Sequence, residues 1–428
     1  MVAPPVVAEG RGAITRRVPE GWKLVALVGT LSIFGPLCID MYLPAFPSIS
    51  HDLSASASAV QLSLTACLVG IAAGQLLLGP VSDRVGRRPP LLVGLGAFTV
   101  SSMACAFATN IYMLSSFRFI QGVGGAAGIV ISRSLVRDLF SGIALVRFFS
   151  TLMLATGVGP IVAPQIGSWV LAVTSWRGVF VVLAAFGAVL LFTSWWRIPE
   201  TLAAQNRSTG TVLSTFSTMV SVARNRAFLG FALAGALGTS AAFAYVSGSS
   251  FVLQNVYGLS PFLYGLAFAL NASGMIIGAQ INGRLAERFG PSTLMTAGLI
   301  TQASGGLALV AFVLSGAVGL AGVIPALFLV MFGNGFVGPN AVSLALQRYP
   351  EAAGAASAVL GSMQFAMAAT IAPLAGIGGT DDALPMAMLM LACPLAAIFV
   401  RLVLSGSGAG GPAGGTAVTE HMMTAEAG

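Results

Sequence analysis

An all-helical membrane protein, with twelve spans in two pseudo-symmetric six-helix bundles, is predicted by three observations. These are a very apolar composition, a succession of uncharged stretches long enough to cross a bilayer, and landmark residues that recur in the second half of the chain. Of 428 residues, 56% are apolar and 8% are Asp, Glu, Lys or Arg, against about 25% charged in a soluble domain. No water-facing surface can be built from that. A bilayer core about 30 Å thick takes about 20 mostly apolar residues per helix. The stretches that meet this requirement are 23–46, 58–81, 89–109, 111–132, 148–173, 178–196, 227–256, 262–283, 292–315, 319–346, 353–379 and 383–402. Their apolar runs are continuous and do not alternate, which argues against outer-membrane strands.

Charge placement orients these spans. Eighteen of the twenty Lys and Arg residues fall in the termini or the even-numbered loops, counting Lys23 and Arg401 at the span ends that adjoin the termini, among them Arg16, Arg17, Arg137, Arg147, Arg207, Arg224, Arg284, Arg288 and Arg348; Arg118 and Arg177 are the exceptions. Cytoplasmic loops collect Lys and Arg, so both termini are expected in the cytoplasm and the chain in the cytoplasmic membrane. The net charge of +7 is then a topology signal. Dispersed beside the spans, it forms no contiguous basic surface and gives no reason to expect nucleic-acid binding. Cys38, Cys67, Cys105 and Cys393 sit inside spans and read as small apolar residues, with no disulfide framework and no metal site. Met1–Gly21 lacks the apolar run and cleavage site of a secretory signal, so the first helix is expected to be a permanent anchor. The organisation expected is a cytoplasmic segment 1–22, a first bundle 23–198, a cytoplasmic linker 199–226, a second bundle 227–403 and a disordered Gly/Ala/Ser-rich tail 404–428.

The linker divides the chain six and six, which suggests a duplication. After span 2 stands Gly79-Pro80-Val81-Ser82-Asp83-Arg84-Val85-Gly86-Arg87-Arg88, and after span 8 Gly283-Arg284-Leu285-Ala286-Glu287-Arg288-Phe289-Gly290. Gly, acid, Arg and Gly align at an offset of 204. Gly122, Gly124 and Arg137 of span 4 align with Gly333, Gly335 and Arg348 at an offset of 211. Parallel halves related by an axis along the membrane normal are a transporter architecture with its substrate site near the midplane.

The stretch from Gly79 to Arg88 resembles the signature loop between helices 2 and 3 of the major facilitator superfamily. Gly79 would allow close helix approach and Asp83 would face the positive end of a neighbouring helix. The resemblance implies that Gly79, Asp83, Arg84, Gly86, Arg87 and Arg88 latch the cytoplasmic side against helix 11 in the outward-open state. Asp40-Met41-Tyr42-Leu43-Pro44, Arg118-Phe119-Ile120-Gln121-Gly122 and Arg133-Ser134-Leu135-Val136-Arg137-Asp138 are similar to the bicyclomycin and chloramphenicol resistance (Bcr/CflA) branch of drug:proton antiporters. That likeness runs from about Leu37 to Phe180. It departs in helix 5, where Gly159-Pro160-Ile161-Val162 is followed by Ala163-Pro164 and not by paired glycines; Gly157, Gly159 and Gly167 still offer small surfaces for helix contact.

Only Asp40 and Arg118 lie well inside the hydrocarbon region. A charge at that depth costs at least about 2.5 to 3.5 kcal/mol and usually faces a functional cavity. Asp40 is seven residues before Pro47, and Arg118 eight after Asn110. At about 1.5 Å per residue both lie roughly 10 to 12 Å below the outer surface, so the two are expected to pair across one cavity and to couple transport to protons. The competing reading is a static buried ion pair. Polar residues within cavity-bordering spans, Tyr42, Gln121, Tyr245, Asn271 and Gln364, are the candidate substrate contacts, with Met153, Met363 and Phe243 as adaptable apolar area. Snorkelling accounts for Arg133 and Arg137, an interfacial anchor for Arg177, and a solvated loop pair for His51-Asp52.

Other classes find little support. A nucleotide-driven pump needs Gly-x-x-x-x-Gly-Lys, yet Lys23 is the only lysine, and the two histidines, His51 and His421, lie in a loop and the tail. The expectation is a monomeric, cofactor-free transporter, not an enzyme, that exchanges protons for small drug-like molecules such as phenicols or bicyclomycin. The alternative is an exporter of an endogenous sugar, amino acid or secondary product. One carboxylate among apolar walls favours the first.

Overall fold

The computed structural model describes residues 21–140, 142–207, 212–316, 318–347, 349 and 353–405, without the side chains of 21–26, 36, 142–156, 206, 212–216, 353 and 405. Arg16, Arg17, Arg348, His421, the N-terminal segment and nearly all of the tail lie outside the described residues, as do the side chains of Lys23, Arg147 and Met153.

Among the described residues ten helices are long and apolar enough to cross a membrane. The longest, Pro261–Ser315, is two helices meeting at Gly290, whose φ of 71° is non-helical, and Gly142–Val173 completes the expected twelve. In chain order they are α1 (Gly21–Asp40), α2 (Ala57–Val85), α3 (Arg88–Ala106), α4 (Ile111–Leu139), α5 (Gly142–Val173), α6 (Trp176–Arg197), α7 (Arg226–Phe251), α8 (261–289), α9 (291–315), α10 (Gly319–Leu346), α11 (Ala353–Ile371) and α12 (Leu384–Ser405). The described residues contain no strand.

Two differences from the apolar stretches have clear causes. α2 and α4 run on through Ser82-Asp83-Arg84 and Arg133 to Asp138, because a helix does not stop where hydropathy does. Span 1 is broken inside the apolar run. α1 ends at Asp40, a 3₁₀ turn follows at Leu43–Ala45, and a short helix resumes at Phe46–Asp52. Pro44 and Pro47 have no N–H for the ladder and displace the preceding turn. The linker also carries a helix, Val212–Arg224, whose Met219 and Val222 are buried beside Phe228 and Val359.

The halves repeat in three dimensions, and their contacts correct one alignment. Gly70 and Gly74 of α2 approach the carbonyls of Phe119 and Val123 of α4; Gly274 and Gly278 of α8 approach those of Phe328 and Phe332 of α10. Gly94 of α3 meets Gly124, and Gly298 of α9 meets Gly333. The offset of 204 therefore holds for α2/α8 and α3/α9, while α4 and α10 correspond at 209 and not 211. Gly124 matches Gly333; a repeated Gly-x-Gly invited a slip of two residues. Gly86 and Gly290 share a positive φ, 105° and 71°, which explains glycine at the end of both loops.

Each half is tied by a polar knot joining corresponding helices. In the first half Arg118 (α4) reaches the Cys38 carbonyl (α1), and Gln121 (α4) reaches Ser102 (α3). In the second, Gln302 (α9) bonds the Gly238 carbonyl (α7) at 3.2 Å and Asn334 (α10) at 3.4 Å.

Candidate functional site

The faces of the two halves meet chiefly on one side. Gln61 Nε2 donates to the Ser247 carbonyl at 3.2 Å, Ser250 Oγ to Leu43 at 2.6 Å, Gln254 Nε2 to Pro44 at 3.2 Å, Ser58 Oγ to Gly376 at 2.9 Å and Ser168 Oγ to Pro261 at 2.8 Å. All five lie toward the face opposite the arginine-rich loops. Deeper, Ser362 Oγ reaches the Ala72 carbonyl at 3.2 Å, and from there to Val85 the described residues of α2 make no hydrogen bond to the second half. The halves are thus closed on the face away from the arginines. These hydroxyl and amide donors were not singled out in sequence, where Ser and Gln inside apolar spans look like neutral filler.

Asp40 and Arg118 do not form the expected pair. Among the described residues no carboxylate lies within ion-pair distance of Arg118. Its Nη1 donates to the Cys38 carbonyl at 3.0 Å and to Gln121 Oε1, and its guanidinium lies 4.1 Å from the Tyr42 ring centroid. Gln121 Nε2 continues to Ser102 Oγ at 2.7 Å, and Tyr42 Oη lies 3.4 Å from Ser63 Oγ. Arg118 Nε and Nη2 remain buried without a partner. The physical reason is helical phase. Cys38 faces Arg118, and Asp40, two residues on, is turned about 200° away.

That turn carries Asp40 to the other half. Its side chain is buried at 4% exposure and lies within electrostatic reach of the Tyr245 and Tyr264 hydroxyls of α7 and α8. Asn271 Nδ2 donates to Tyr245 Oη at 3.1 Å while its Oδ1 is buried without a partner; Ser249 and Tyr264 are 3.2 Å apart. Among the described residues Asp40 is the only buried carboxylate. The expected substrate contacts therefore separate. Tyr245 lies within electrostatic reach of Asp40 and holds Asn271, Tyr42 and Gln121 are held in the Arg118 knot, and Gln364 is half-buried on α11. Phe243 packs edge-on against Phe365, 5.9 Å between centroids, and Met363 lies beside the linker helix.

The signature loop is organised by residues outside it. Glu200, after α6, accepts from the Arg87 and Arg88 N–H groups at 2.7 and 3.1 Å and so caps α3. Arg87 bridges Asp83 and, at 3.0 Å, Asp138 of α4, and Arg88 donates to the Trp195 carbonyl at 2.7 Å. Asp83 is turned to Arg87 and half exposed. A Cβ on Gly79 would meet only Val130, at 4.0 Å, so the close approach expected there belongs instead to Gly70 and Gly74. Gly167, by contrast, lies directly against the Met41 carbonyl.

On the closed face a cavity of about 580 Å³ is lined by Pro44, His51, Asp52, Trp176, Arg177 and Gln254, among others. Asp52 is not a free loop residue. It accepts from Trp176 Nε1 at 2.8 Å and Arg177 Nη1 at 2.5 Å, so Arg177 clamps α6 to the end of span 1.

Twelve helices in two repeated halves, with a buried carboxylate where the halves meet, define a membrane transporter and not an enzyme. The family model described as Major Facilitator Superfamily matches residues 28–373. The chain is 41% identical over 373 residues to the MFS-type transporter YdgK of Bacillus subtilis (87% of this chain, 92% of that protein). It is 32% identical to a bicyclomycin resistance protein homolog of Haemophilus influenzae (89% and 96%) and 30% identical to a chloramphenicol resistance protein of Pseudomonas aeruginosa (78% and 79%). Among solved structures, the nucleoside transporter NupG shares the fold with a TM-score of 0.70 at 12% identity, covering 90% of this chain and all of that one. The chain belongs to the major facilitator superfamily and, within it, to the bicyclomycin/chloramphenicol resistance branch.

Proposed function

We propose that the protein exports small drug-like molecules, phenicols or bicyclomycin among them, in exchange for protons across the cytoplasmic membrane, with both termini in the cytoplasm. The observation that carries this reading is Asp40, the only buried carboxylate among the described residues, which lies within electrostatic reach of Tyr245 and Tyr264 of the second half. Binding and losing a proton at Asp40 decides whether the carboxyl can be enclosed between the halves or needs water or a ligand, because an enclosed charge at this depth is costly. Arg118 holds the first half rigid, and Asp40 moves with it against the second. The names of the resistance-protein relatives support the substrate class. On this reading the closed face is the outer one, and the loop from Gly79 to Arg88 is a latch not engaged with α11, since Asp83 is given to Arg87.

The test is drug susceptibility of an efflux-deficient host expressing the chain or its Asp40→Asn variant, with phenicol transport in everted vesicles under an imposed pH gradient. Resistance and gradient-driven transport are expected from the chain, and neither from the variant at equal expression. Full export by Asp40→Asn would sink the coupling assignment. An endogenous metabolite exporter would confer no resistance at all.

A further inference from the structure

Of the three cations of α4, Arg118 is held in its knot and Arg137 donates to Ser134 Oγ at 3.3 Å, which leaves Arg133. It lies six residues before the end of α4 at Leu139, about 9 Å inside the arginine-rich face. Its side chain is exposed, and its electrostatic neighbour is Arg137. No hydrogen bond or ion pair to a described residue engages it. An exposed arginine at this depth borders either lipid or a space between helices, and the phase of α4 decides which.

Helical phase gives the direction. Gly128 and Ser132 face Leu31 and Ser32 of α1; Ala126 and Val130 face Gly74 and Gly79 of α2; Gly124 and Ala127 face Gly94 of α3. At 100° per residue, Arg133 projects between the α1 and α2 sides and away from α3, toward the second half. The matching position on α10, at the offset of 209 set by the glycine contacts, is Val342, which is 44% exposed. Both walls are therefore open at this level, where α2 no longer bonds the second half. The mouth has a free guanidinium on one wall and an apolar side chain on the other. The acids of α4 and α2 nearest to it, Asp138 and Asp83, are both held by Arg87.

We propose that Arg133 is the anion-binding group of the open cavity, and that the cavity takes lipophilic anions ahead of cations of the same shape. A cation that approaches must lose water beside an unneutralised guanidinium, whereas an anion gains a charge-assisted partner. This deepens the export reading above, on which the cavity's role in transport rests.

The test uses full-length purified protein in detergent and two probes of one shape and opposite charge, tetraphenylborate and tetraphenylphosphonium, measured by equilibrium dialysis against protein-free micelles. The anion-to-cation binding ratio is expected to fall about tenfold in Arg133→Gln, to fall further in Arg133→Glu and to hold in Arg133→Lys. It should stay unchanged in Arg224→Gln, which removes an exposed charge from the linker helix. An equal ratio in the chain and in Arg133→Gln, or an equal fall in Arg224→Gln, overturns the proposal. The ratio is read whether or not the protein confers resistance, so loss of the export reading and loss of this one are distinguishable.

Discussion

Gln165 on α5 is the most informative single position for the closed arrangement of the halves. Both its Nε2 and its Oε1 are buried without a partner, next to Gly265 of α8 and one turn from the Ser168–Pro261 bond that holds α5 to α8. A buried polar atom left unpaired costs about 1 to 3 kcal/mol. The closed state thus carries about 2 to 6 kcal/mol at this one amide, a cost relieved when the halves part there and water enters. Gln165→Leu keeps roughly the volume and removes both orphan atoms. Allowing for imperfect packing of the branched side chain, it should favour the closed state by at least about 1.4 kcal/mol, a tenfold shift in the opening equilibrium.

Two measurements check this. A cysteine introduced at Ser250, buried at the seam beside the Leu43 carbonyl, in a background whose four cysteines are replaced by serine or alanine, reports opening through its rate of labelling by a membrane-impermeant thiol reagent added from the Gln254 side. Gln165→Leu should slow labelling about tenfold, raise the thermal midpoint in detergent and lower turnover. A faster labelling rate, or a lower midpoint with unchanged labelling, would refute the reasoning, since it would mean that Gln165 is satisfied in the closed state.

Other residues make narrower predictions. Glu200→Gln leaves the Arg87 and Arg88 N–H groups with a neutral cap and should cost about 1 kcal/mol, read as a thermal midpoint lower by a few degrees; an unchanged midpoint removes Glu200 from the loop's support. Gly167→Ala sets a methyl group on the Met41 carbonyl and should destabilise by about 1 to 3 kcal/mol, whereas Gly283→Ala, which meets nothing within 4 Å, should leave unfolding unchanged. Arg118→Lys keeps the charge but cannot reproduce the planar contacts to Cys38, Gln121 and Tyr42 together, so the folded yield in detergent should fall sharply. A variant as stable as the parent would show that the knot needs only charge.

The twelve spans and the two-fold repeat were legible because bilayer thickness and duplicated glycines write directly into sequence. The break at Asp40 was not, since a hydropathy window passes over Pro44. Helix ends at Arg84 and Arg137 were trimmed for the opposite reason: the window stops at charge, and the helix does not. For the site, counting residues from Pro47 and Asn110 placed Asp40 and Arg118 at a common depth, which is one coordinate of three. The azimuth is fixed by packing. Once Cys38 is known to face α4, the direction of Asp40 follows from the pitch alone, yet nothing in a single sequence says which of two neighbouring residues on α1 faces inward.

The two buried charges therefore have different relations to the moving parts. Arg118 joins α1 to α4 and, through Gln121, to α3, with Tyr42 under its guanidinium, and all of these belong to one half. Its contacts are unchanged when that half moves as a body. Asp40 sits on α1 two residues from Cys38 but lies within electrostatic reach of Tyr245 and Tyr264 of the other half, so relative motion of the halves changes its surroundings. A group whose proton is to be coupled to opening must sit where opening alters solvation. Asp40 meets that condition and Arg118 does not, although depth and charge alone make them look equivalent. The second half repeats the knot with Gln302 and Asn334 and has no buried charge among its described residues, which is consistent with rigidity needing only a polar tie while coupling needs a titrating group at the seam.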